Sequence, residues 1–122
     1  MQEPEHLIGE LITDVQNQSG VCLVKARGEV DISNAQSLRD VLQTVDSADK
    51  AVIVDISGVT YMDSSGFAVL LETARRLRPR NVPLHLVGSN TTITRLMEIT
   101  RLNTVFVMHP TLAEAQAAIP TA

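Results

Sequence analysis

The chain has 122 residues and a formal charge of −4, and 44% of its residues are hydrophobic. This length predicts a single domain, residues 1–122, with a buried core over about residues 7–119. The acidic balance and the scarcity of aromatic side chains argue against a nucleic-acid partner, which requires a basic face or stacking platforms.

The sequence also limits redox chemistry, location and cofactors. The single cysteine, Cys22, excludes an internal disulfide and is expected to be a small buried hydrophobe in a strand. No apolar run is long enough to span a membrane, and the acidic start of the chain is unlike a secretion signal. We therefore predict a cytoplasmic protein with no membrane partner. Neither a glycine-rich phosphate loop nor a metal-ligand cluster is present, so no metal and no cofactor are expected.

The first predicted elements are a β-hairpin and a helix. Residues 7–15 alternate loosely between apolar and polar side chains and predict a strand, residues 17–20 a turn, and residues 21–27 the second strand. Ser33 and Gln36 have the spacing of a capping box and predict the start of a helix. The expected apolar stripe of this helix consists of Ala35, Leu38, Val41, Leu42 and Val45.

The middle of the chain predicts a buried strand followed by a second helix. Residues 51–57 are almost continuously apolar, as in a strand covered on both faces, and Gly58 is expected to end this strand. The second helix is predicted over residues 65–78, with Pro79 ending it. Its expected inward-facing residues are Phe67, Leu70, Leu71, Ala74 and Leu77.

The last third of the chain predicts two more strand–helix pairs. Residues 83–88 and 105–108 are short apolar runs with strand character. The candidate helix caps that follow them are Ser89 or Asn90, and a capping box formed by Thr111 and Glu114. The third helix is expected to have Ile93, Leu96 and Met97 on its apolar face. The order β-β-α-β-α-β-α-β-α predicts an α/β fold with a mixed, mainly parallel sheet of four to five strands and about four helices.

The most informative stretch is Asp63-Ser64-Ser65-Gly66, at the predicted start of the second helix. The first N–H groups of a helix lack internal partners and carry the positive end of the helix dipole, so a phosphate on Ser64 or Ser65 is stabilised there. The ordinary explanation is that one of these side chains caps the helix. A cap needs only one side chain, and the presence of three candidates favours an additional role.

Two motifs resemble the signatures of the STAS domain. Tyr-Met-Asp-Ser-Ser-Gly-Phe, at residues 61–67, follows a Val-Asp-Ile strand, and Arg-Gly-Glu-Val-Asp, at residues 27–31, resembles a Gly-Glu-Leu-Asp-like turn. They occur in the family's order, and the resemblance covers about residues 19–119. It is closest to the bacterial anti-sigma factor antagonists, also called anti-anti-sigma factors.

The resemblance implies a phosphorylation site. It assigns the phosphate to the second serine of the pair, Ser65. Ser64 is then expected to cap the helix or to support Ser65 by a hydrogen bond. Gly66, which has no side chain, is expected to let a partner protein approach.

The resemblance also implies a partner-binding surface around the acceptor. It places Asp31 near the acceptor serine, with Glu29 beside it. Together with Asp63, these carboxylates are expected to form a negatively charged rim. The alternative is that Glu29 and Asp31 are solvated loop residues, which is the usual situation of such side chains.

Two enzymatic alternatives lack residues that they require. A serine hydrolase needs a Gly-x-Ser-x-Gly turn, and neither serine of the pair has glycines at that spacing. A phospho-aspartate receiver domain would use Asp55 at the end of its strand, but it also needs a lysine after the last strand, where Met108-His109-Pro110 stands. The chain is therefore predicted not to be an enzyme.

The predicted function is that of a switch. The resemblance implies that the unphosphorylated form binds an anti-sigma factor that is also a serine kinase and thereby releases the sigma factor. The kinase uses ATP to phosphorylate the chain, which ends binding, and a serine phosphatase restores it. The alternative is a STAS scaffold subunit of a signalling assembly or a cytoplasmic accessory subunit of a transporter. The oligomeric state stays open.

Overall fold

The computed structural model describes residues 10–120. The strands are β1 (Leu11–Gln18), β2 (Val21–Val30), β3 (Ala51–Met62), β4 (Leu84–Val87) and β5 (Val107–His109). The helices are α1 (Ala35–Gln43), α2 (Ser64–Leu77), α3 (Thr91–Thr100) and α4 (Leu112–Ala117). The predicted order of strands and helices is confirmed over these residues.

The strands form one sheet in the order β1-β2-β3-β4-β5. β1 and β2 are an antiparallel hairpin, and the pairs β2–β3, β3–β4 and β4–β5 are parallel. The predicted mixed, mainly parallel sheet is therefore confirmed, with β3 at its centre. Because parallel strands end at the same edge of a sheet, the chain leaves β2 and β3 side by side, just before α1 and α2.

The two faces of the sheet are covered unequally. α1, α2 and α3 pack on one face over a large apolar core that includes Leu38, Leu70 and Met97. The other face carries a smaller cluster in which Ala115 and Ile119 cover part of the sheet. Cys22 lies fully buried in β2, as predicted, and burial raises the pKa of its thiol. We refer to these surfaces as the α1–α3 face and the α4 face.

The central strand is longer than predicted. β3 continues through Gly58 to Met62, so the prediction that Gly58 ends the strand is wrong. The reason lies in the neighbouring strand, because the register of β2 on β3 shifts between Lys25 and Arg27. A Cβ atom added to Gly58 would lie 2.6 Å from Cβ of Arg27, so glycine permits the close approach of two strands here.

Several element boundaries also differ from the predictions. β1 extends to Gln18, so the turn is shorter than residues 17–20, and residues 7–9 of the predicted first strand lie outside the described residues. The last strand begins at Val107 because residues 102–104 form a 3-10 turn. α2 buries Leu70 and Leu77, as predicted, and also Gly66, Val69 and Thr73, whereas the predicted inward-facing residues Phe67, Leu71 and Ala74 are half-buried.

The caps of α3 and α4 follow the predictions. The side chain of Asn90 accepts a hydrogen bond from the N–H of Ile93 at 2.9 Å and caps α3. The hydroxyl of Thr111 accepts a hydrogen bond from the N–H of Glu114 at 3.2 Å and caps α4. Both bonds satisfy N–H groups that have no partner within their own helix.

Candidate functional site

The ends of β2 and β3 bring the two sequence motifs together. Glu29 is paired with Tyr61 in the sheet, and Val30 with Met62. Beyond the last pair, the N–H of Asp63 donates to the carbonyl of Val30 at 3.1 Å. The predicted site residues of both motifs therefore lie along one edge of the sheet.

Asp63 is the N-cap of α2. Its carboxylate accepts hydrogen bonds from the backbone N–H of Ser65, at 2.9 Å, and from the hydroxyl of Ser65. Ser64 already belongs to the helix and is exposed. The expectation that Ser64 caps the helix is therefore wrong. Asp63 lies one residue before Ser64 in the chain. Its backbone is extended, which lets its carboxylate reach the N–H groups of the first turn of α2.

The surroundings of Asp63 hold its carboxyl group in the charged form. The hydrogen bond from the Ser65 hydroxyl is the largest cause that lowers the pKa of Asp63. Backbone N–H groups of Ser65, Gly66 and Ile32 lower this pKa further, against the opposing effect of desolvation. Since the N–H of Ile32 belongs to the loop after β2, the same interactions show that this loop lies against the start of α2.

Asp31 forms a second turn of the same kind. Its carboxylate accepts hydrogen bonds from the backbone N–H of Ser33, at 2.9 Å, and from the hydroxyl of Ser33. Asn34 fixes this loop from the other side, because its side chain accepts from the N–H of Asp31 at 3.0 Å and donates to the carbonyl of Glu29 at 2.8 Å. The loop is therefore held by local hydrogen bonds and is not an irregular solvated segment.

The same contacts explain why the predicted capping box of α1 is wrong. The hydroxyl of Ser33 donates to Asp31, and the side-chain amide of Gln36 donates to Asp40 at 2.8 Å. Neither side chain is therefore used as the capping box predicted. The N-cap of α1 is Asn34, and its side chain makes no capping hydrogen bond because it is used within the loop.

The two turns share an Asp-x-Ser pattern and expose their middle residues. In the turn after β2 this residue is Ile32, whose exposure of 85% is high for a large aliphatic residue. In the turn after β3 it is Ser64, which is exposed and finds no hydrogen-bond partner for its hydroxyl within residues 10–120. Ile32 was not among the predicted site residues, because Asp-x-Ser spacing alone does not show whether the middle residue is exposed.

The two serines of the signature differ in accessibility. The hydroxyl of Ser65 donates to Asp63, and its side chain is half-buried against the start of α2. Ser64 presents its hydroxyl to solvent on the first turn of the same helix. Ser64 is therefore the more accessible of the two serines, whereas Ser65 has its hydroxyl hydrogen held by Asp63 and keeps the lone pairs of its oxygen.

Gly66 is buried and has a packing role. A Cβ atom added there would lie 2.6 Å from Cγ of Met62 and 2.8 Å from Cγ1 of Val30. These distances are too short for non-bonded carbon atoms, so α2 can approach the ends of both strands only with glycine at this position. The expectation that Gly66 opens the site to a partner is wrong, because its missing side chain faces the core.

Two findings bear on location and metal binding. Within residues 10–120, no helix is both long enough and apolar enough to cross a membrane. In the same part of the chain, no group of three or more histidine, cysteine, aspartate or glutamate side chains is arranged to hold a metal ion.

The part of the chain that forms the sheet, the two turns and the helices matches a known family. A family model described as the STAS domain matches residues 13–115. The chain belongs to the STAS domain family. This match covers both turns and all four helices except the end of α4.

Similar STAS proteins have names that refer to sigma-factor regulation. The anti-sigma-F factor antagonist RsfA of Mycobacterium tuberculosis is 28% identical over 107 residues, 85% of this chain and 84% of that protein. The anti-sigma-B factor antagonist of Staphylococcus aureus is 32% identical over 80 residues, 65% of this chain and 74% of that protein. The crystal structure of an anti-sigma factor antagonist from Mycobacterium paratuberculosis is 27% identical with a TM-score of 0.82, covering 91% of this chain and 95% of that chain.

Proposed function

We propose that this STAS protein is an anti-sigma factor antagonist controlled by phosphorylation at the start of α2. The observation that carries the proposal is the hydroxyl of Ser65, which lies half-buried on the first turn of α2, is held by Asp63 and lies near the second acidic turn. The names of similar proteins over most of the chain support the same function.

The proposed cycle uses two partners and no cofactor bound to this chain. The unphosphorylated form binds an anti-sigma factor that is also a serine kinase, and the sigma factor is released. The kinase transfers a phosphoryl group from ATP to the start of α2, and the complex dissociates. A serine phosphatase removes the phosphate and restores binding. The chain contributes a phosphate acceptor and a recognition surface but no catalytic residue.

The acceptor in this proposal is Ser65, the second serine of the signature, as the resemblance to the STAS family implies. Its hydroxyl donates to the carboxylate of Asp63, and a hydroxyl that donates its hydrogen keeps the oxygen lone pairs that attack the γ-phosphate of ATP. The backbone N–H of Ser65 makes its own hydrogen bond to Asp63, so loss of the hydroxyl bond leaves the cap of α2 in place. Phosphorylation of Ser64, the exposed neighbour, is the alternative outcome of the mapping experiment below.

The switch acts through charge at an interface. A phosphate adds about −1.5 to −2 charge at pH 7. At an exposed helix N-terminus it is favoured by roughly 0.3–1 kcal/mol, and repulsion from Asp63 and Asp31 opposes this gain. In the free protein the two effects partly cancel. In the complex, burying such a charge without a counter-ion costs on the order of several kcal/mol, which lowers affinity by orders of magnitude.

Recognition by the partner involves the rim of the site. Asp31 and Asp63 present carboxylates at the ends of neighbouring strands, and Glu29 lies half-buried beside them. Ile32, the middle residue of the turn after β2, offers an apolar side chain that is almost fully exposed. A complementary partner surface would therefore combine a basic rim with an apolar contact for Ile32.

The second candidate function is a scaffold subunit or an accessory subunit of a transporter, which would use the same domain without a phosphorylation cycle. It accounts for the fold and for the acidic rim. It gives no reason for the pair of serines on the first turn of α2 beside the two acidic turns. Phosphorylation by a partner kinase separates the two candidates.

The experiment is incubation of the full chain with a candidate anti-sigma kinase and ATP, followed by intact-mass measurement and peptide mapping. We expect one phosphate, located on Ser65 and absent from Ser65→Ala. Ser37→Ala, which removes an exposed serine on α1, is the matched control and should be phosphorylated normally. A phosphate on Ser64 would reject the assignment to Ser65, and the absence of phosphorylation with every candidate kinase would favour the scaffold function.

A further inference from the structure

The two edges of the sheet are protected to very different degrees. β5 offers only three residues, Val107–His109, and Pro110 follows them. β1 offers eight residues, Leu11–Gln18, and no strand within residues 10–120 pairs with its outer side. Its sequence, Leu-Ile-Thr-Asp-Val-Gln-Asn-Gln, lacks the lysine and proline residues that commonly prevent such an edge from pairing. β1 is therefore a long edge with backbone groups available for another strand.

The backbone groups of β1 that point outward can be identified. The N–H of Glu29 donates to the carbonyl of Glu10 at 2.9 Å, so Glu10 directs its polar groups toward β2. Along an antiparallel ladder these directions alternate from residue to residue, and the β1–β2 register is continuous. The N–H and C=O groups of Thr13, Val15 and Asn17 therefore point away from the sheet.

We propose that the outer side of β1 is a dimerisation surface on which β1 of a second copy pairs antiparallel about a two-fold axis at Val15. In this register Val15 faces Val15 of the second copy, and Thr13 faces Asn17. Each outward-pointing N–H then meets a carbonyl. Asp14 lies directly opposite the neutral side chain of Gln16, so no like charges face each other directly across the pair.

The other two-fold registers are poorer. Moving the axis to Asp14 places its carboxylate directly opposite the same carboxylate of the second copy, which is unfavourable. Moving the axis to Thr13 brings it close to the start of the strand at Leu11, so fewer residues of β1 find a partner in β1 of the second copy. The charge pattern and the length of the strand therefore both select Val15.

The exposed apolar side chains of β1 fit this arrangement. Val15 is 38% exposed on the α1–α3 face, and Ile12 is 43% exposed on the α4 face. Pairing covers Val15 with Val15 of the second copy and places Ile12 against Gln18 of the second copy.

Because the two copies run antiparallel, their phosphorylation sites lie at opposite ends of a continuous sheet. Each site remains open to its own partner, so the proposal is independent of the proposed function.

The first experiment is analytical ultracentrifugation of the full chain over a wide concentration range. We expect the mass to rise from 13.3 kDa toward twice that value as concentration increases. Val15→Lys places two like charges opposite each other and should raise the dissociation constant about tenfold or more. Val107→Lys adds the same charge to the β5 edge, at a residue that is 43% exposed, and should leave dimerisation unchanged. A chain that stays monomeric at every concentration, or equal effects of both variants, would overturn the proposal.

A second experiment tests the register without a charge change. Val15→Cys places two thiols opposite each other, with Cα atoms about 5.5 Å apart, which suits a disulfide. Mild oxidation should convert this variant into a covalent dimer, with little contribution from Cys22 because it is buried. Val107→Cys should remain monomeric. Faster cross-linking of Asp14→Cys than of Val15→Cys would reject the register, and cross-linking of neither would reject pairing through β1.

Discussion

The two turns that form the site share one hydrogen-bonding scheme but lead into differently built helices. In each turn an aspartate at the end of a parallel strand accepts hydrogen bonds from the N–H and the hydroxyl of the serine two residues later. Asp63 is itself the N-cap of α2, whereas Asp31 is separated from α1 by a loop that Asn34 closes. One carboxylate therefore starts a helix, and the other holds a loop.

A third Asp-x-Ser segment shows what this scheme does and does not determine. Within β3, Asp55 accepts hydrogen bonds from the N–H of Ser57 at 2.9 Å and from its hydroxyl at 2.6 Å. The middle residue there, Ile56, is buried in the core. The hydrogen bonds alone therefore do not make a site. The position at the end of a strand decides whether the middle residue is exposed, as it is for Ile32 and Ser64.

The largest effect on folding is expected at Gly66, in the first turn of α2. Gly66→Ala inserts a methyl group against Met62 and Val30, where the available distances are 2.6 and 2.8 Å. We expect a loss of about 1–3 kcal/mol in the free energy of unfolding, as for other overpacked cores. Urea denaturation measures it, with Ser64→Ala on the exposed side of the same turn as control. Equal stability of the two variants would contradict the packing role of Gly66.

The next effect concerns Asp63 and appears in the pH dependence of stability. Hydrogen bonds from Ser65 lower the pKa of Asp63 in the folded state, so its contribution to stability is present above the ordinary aspartate pKa and is lost as pH falls through the folded value. Asp63→Asn should lower the thermal midpoint at pH 7 and flatten its decline in acid. Glu98→Gln, which removes an exposed carboxylate on α3, is the control. An unchanged acid profile in Asp63→Asn would contradict the role assigned to the cap.

A smaller effect on stability is expected at Asp31. Asp31→Ala removes hydrogen bonds to Ser33 but leaves those of Asn34 with the loop backbone, so we expect a loss of about 0.5–1.5 kcal/mol. Binding of the anti-sigma kinase should weaken by more than this loss of stability explains. Thermal denaturation and calorimetric titration of the same sample separate the two effects. Strong destabilisation with unchanged binding would mean that Asp31 acts only in folding.

The smallest effect on stability is expected at Ile32. Its side chain is almost fully exposed, so Ile32→Ser should change the free energy of unfolding by no more than about 0.5 kcal/mol. If Ile32 contacts the partner, the same change should lower affinity for the kinase measurably. Ile99→Ser, at an exposed aliphatic residue of α3, is the matched control. An equal response of the two variants in the binding assay would remove Ile32 from the interface.

The sequence predicted the order of the elements because apolar periodicity follows local geometry. Details that depend on a neighbouring strand were not predictable in this way. Gly58 has the sequence character of a chain break, yet it lies within β3 because β2 approaches closely there. Asp63, Ser64 and Ser65 are all good cap residues, and only the position of the chain as it leaves β3 selects Asp63. The exposure of Ile32 likewise depends on the loop closed by Asn34.

The central claim is that a phosphate at the start of α2 switches partner binding off without changing the fold. Calorimetric titration of the anti-sigma kinase with the unphosphorylated chain and with the chain phosphorylated on Ser65 tests it most directly. The account predicts that phosphorylation lowers affinity by orders of magnitude while the circular dichroism spectrum and the thermal midpoint stay nearly constant. Equal affinities of the two forms, or a loss of binding accompanied by refolding of the free chain, would contradict it.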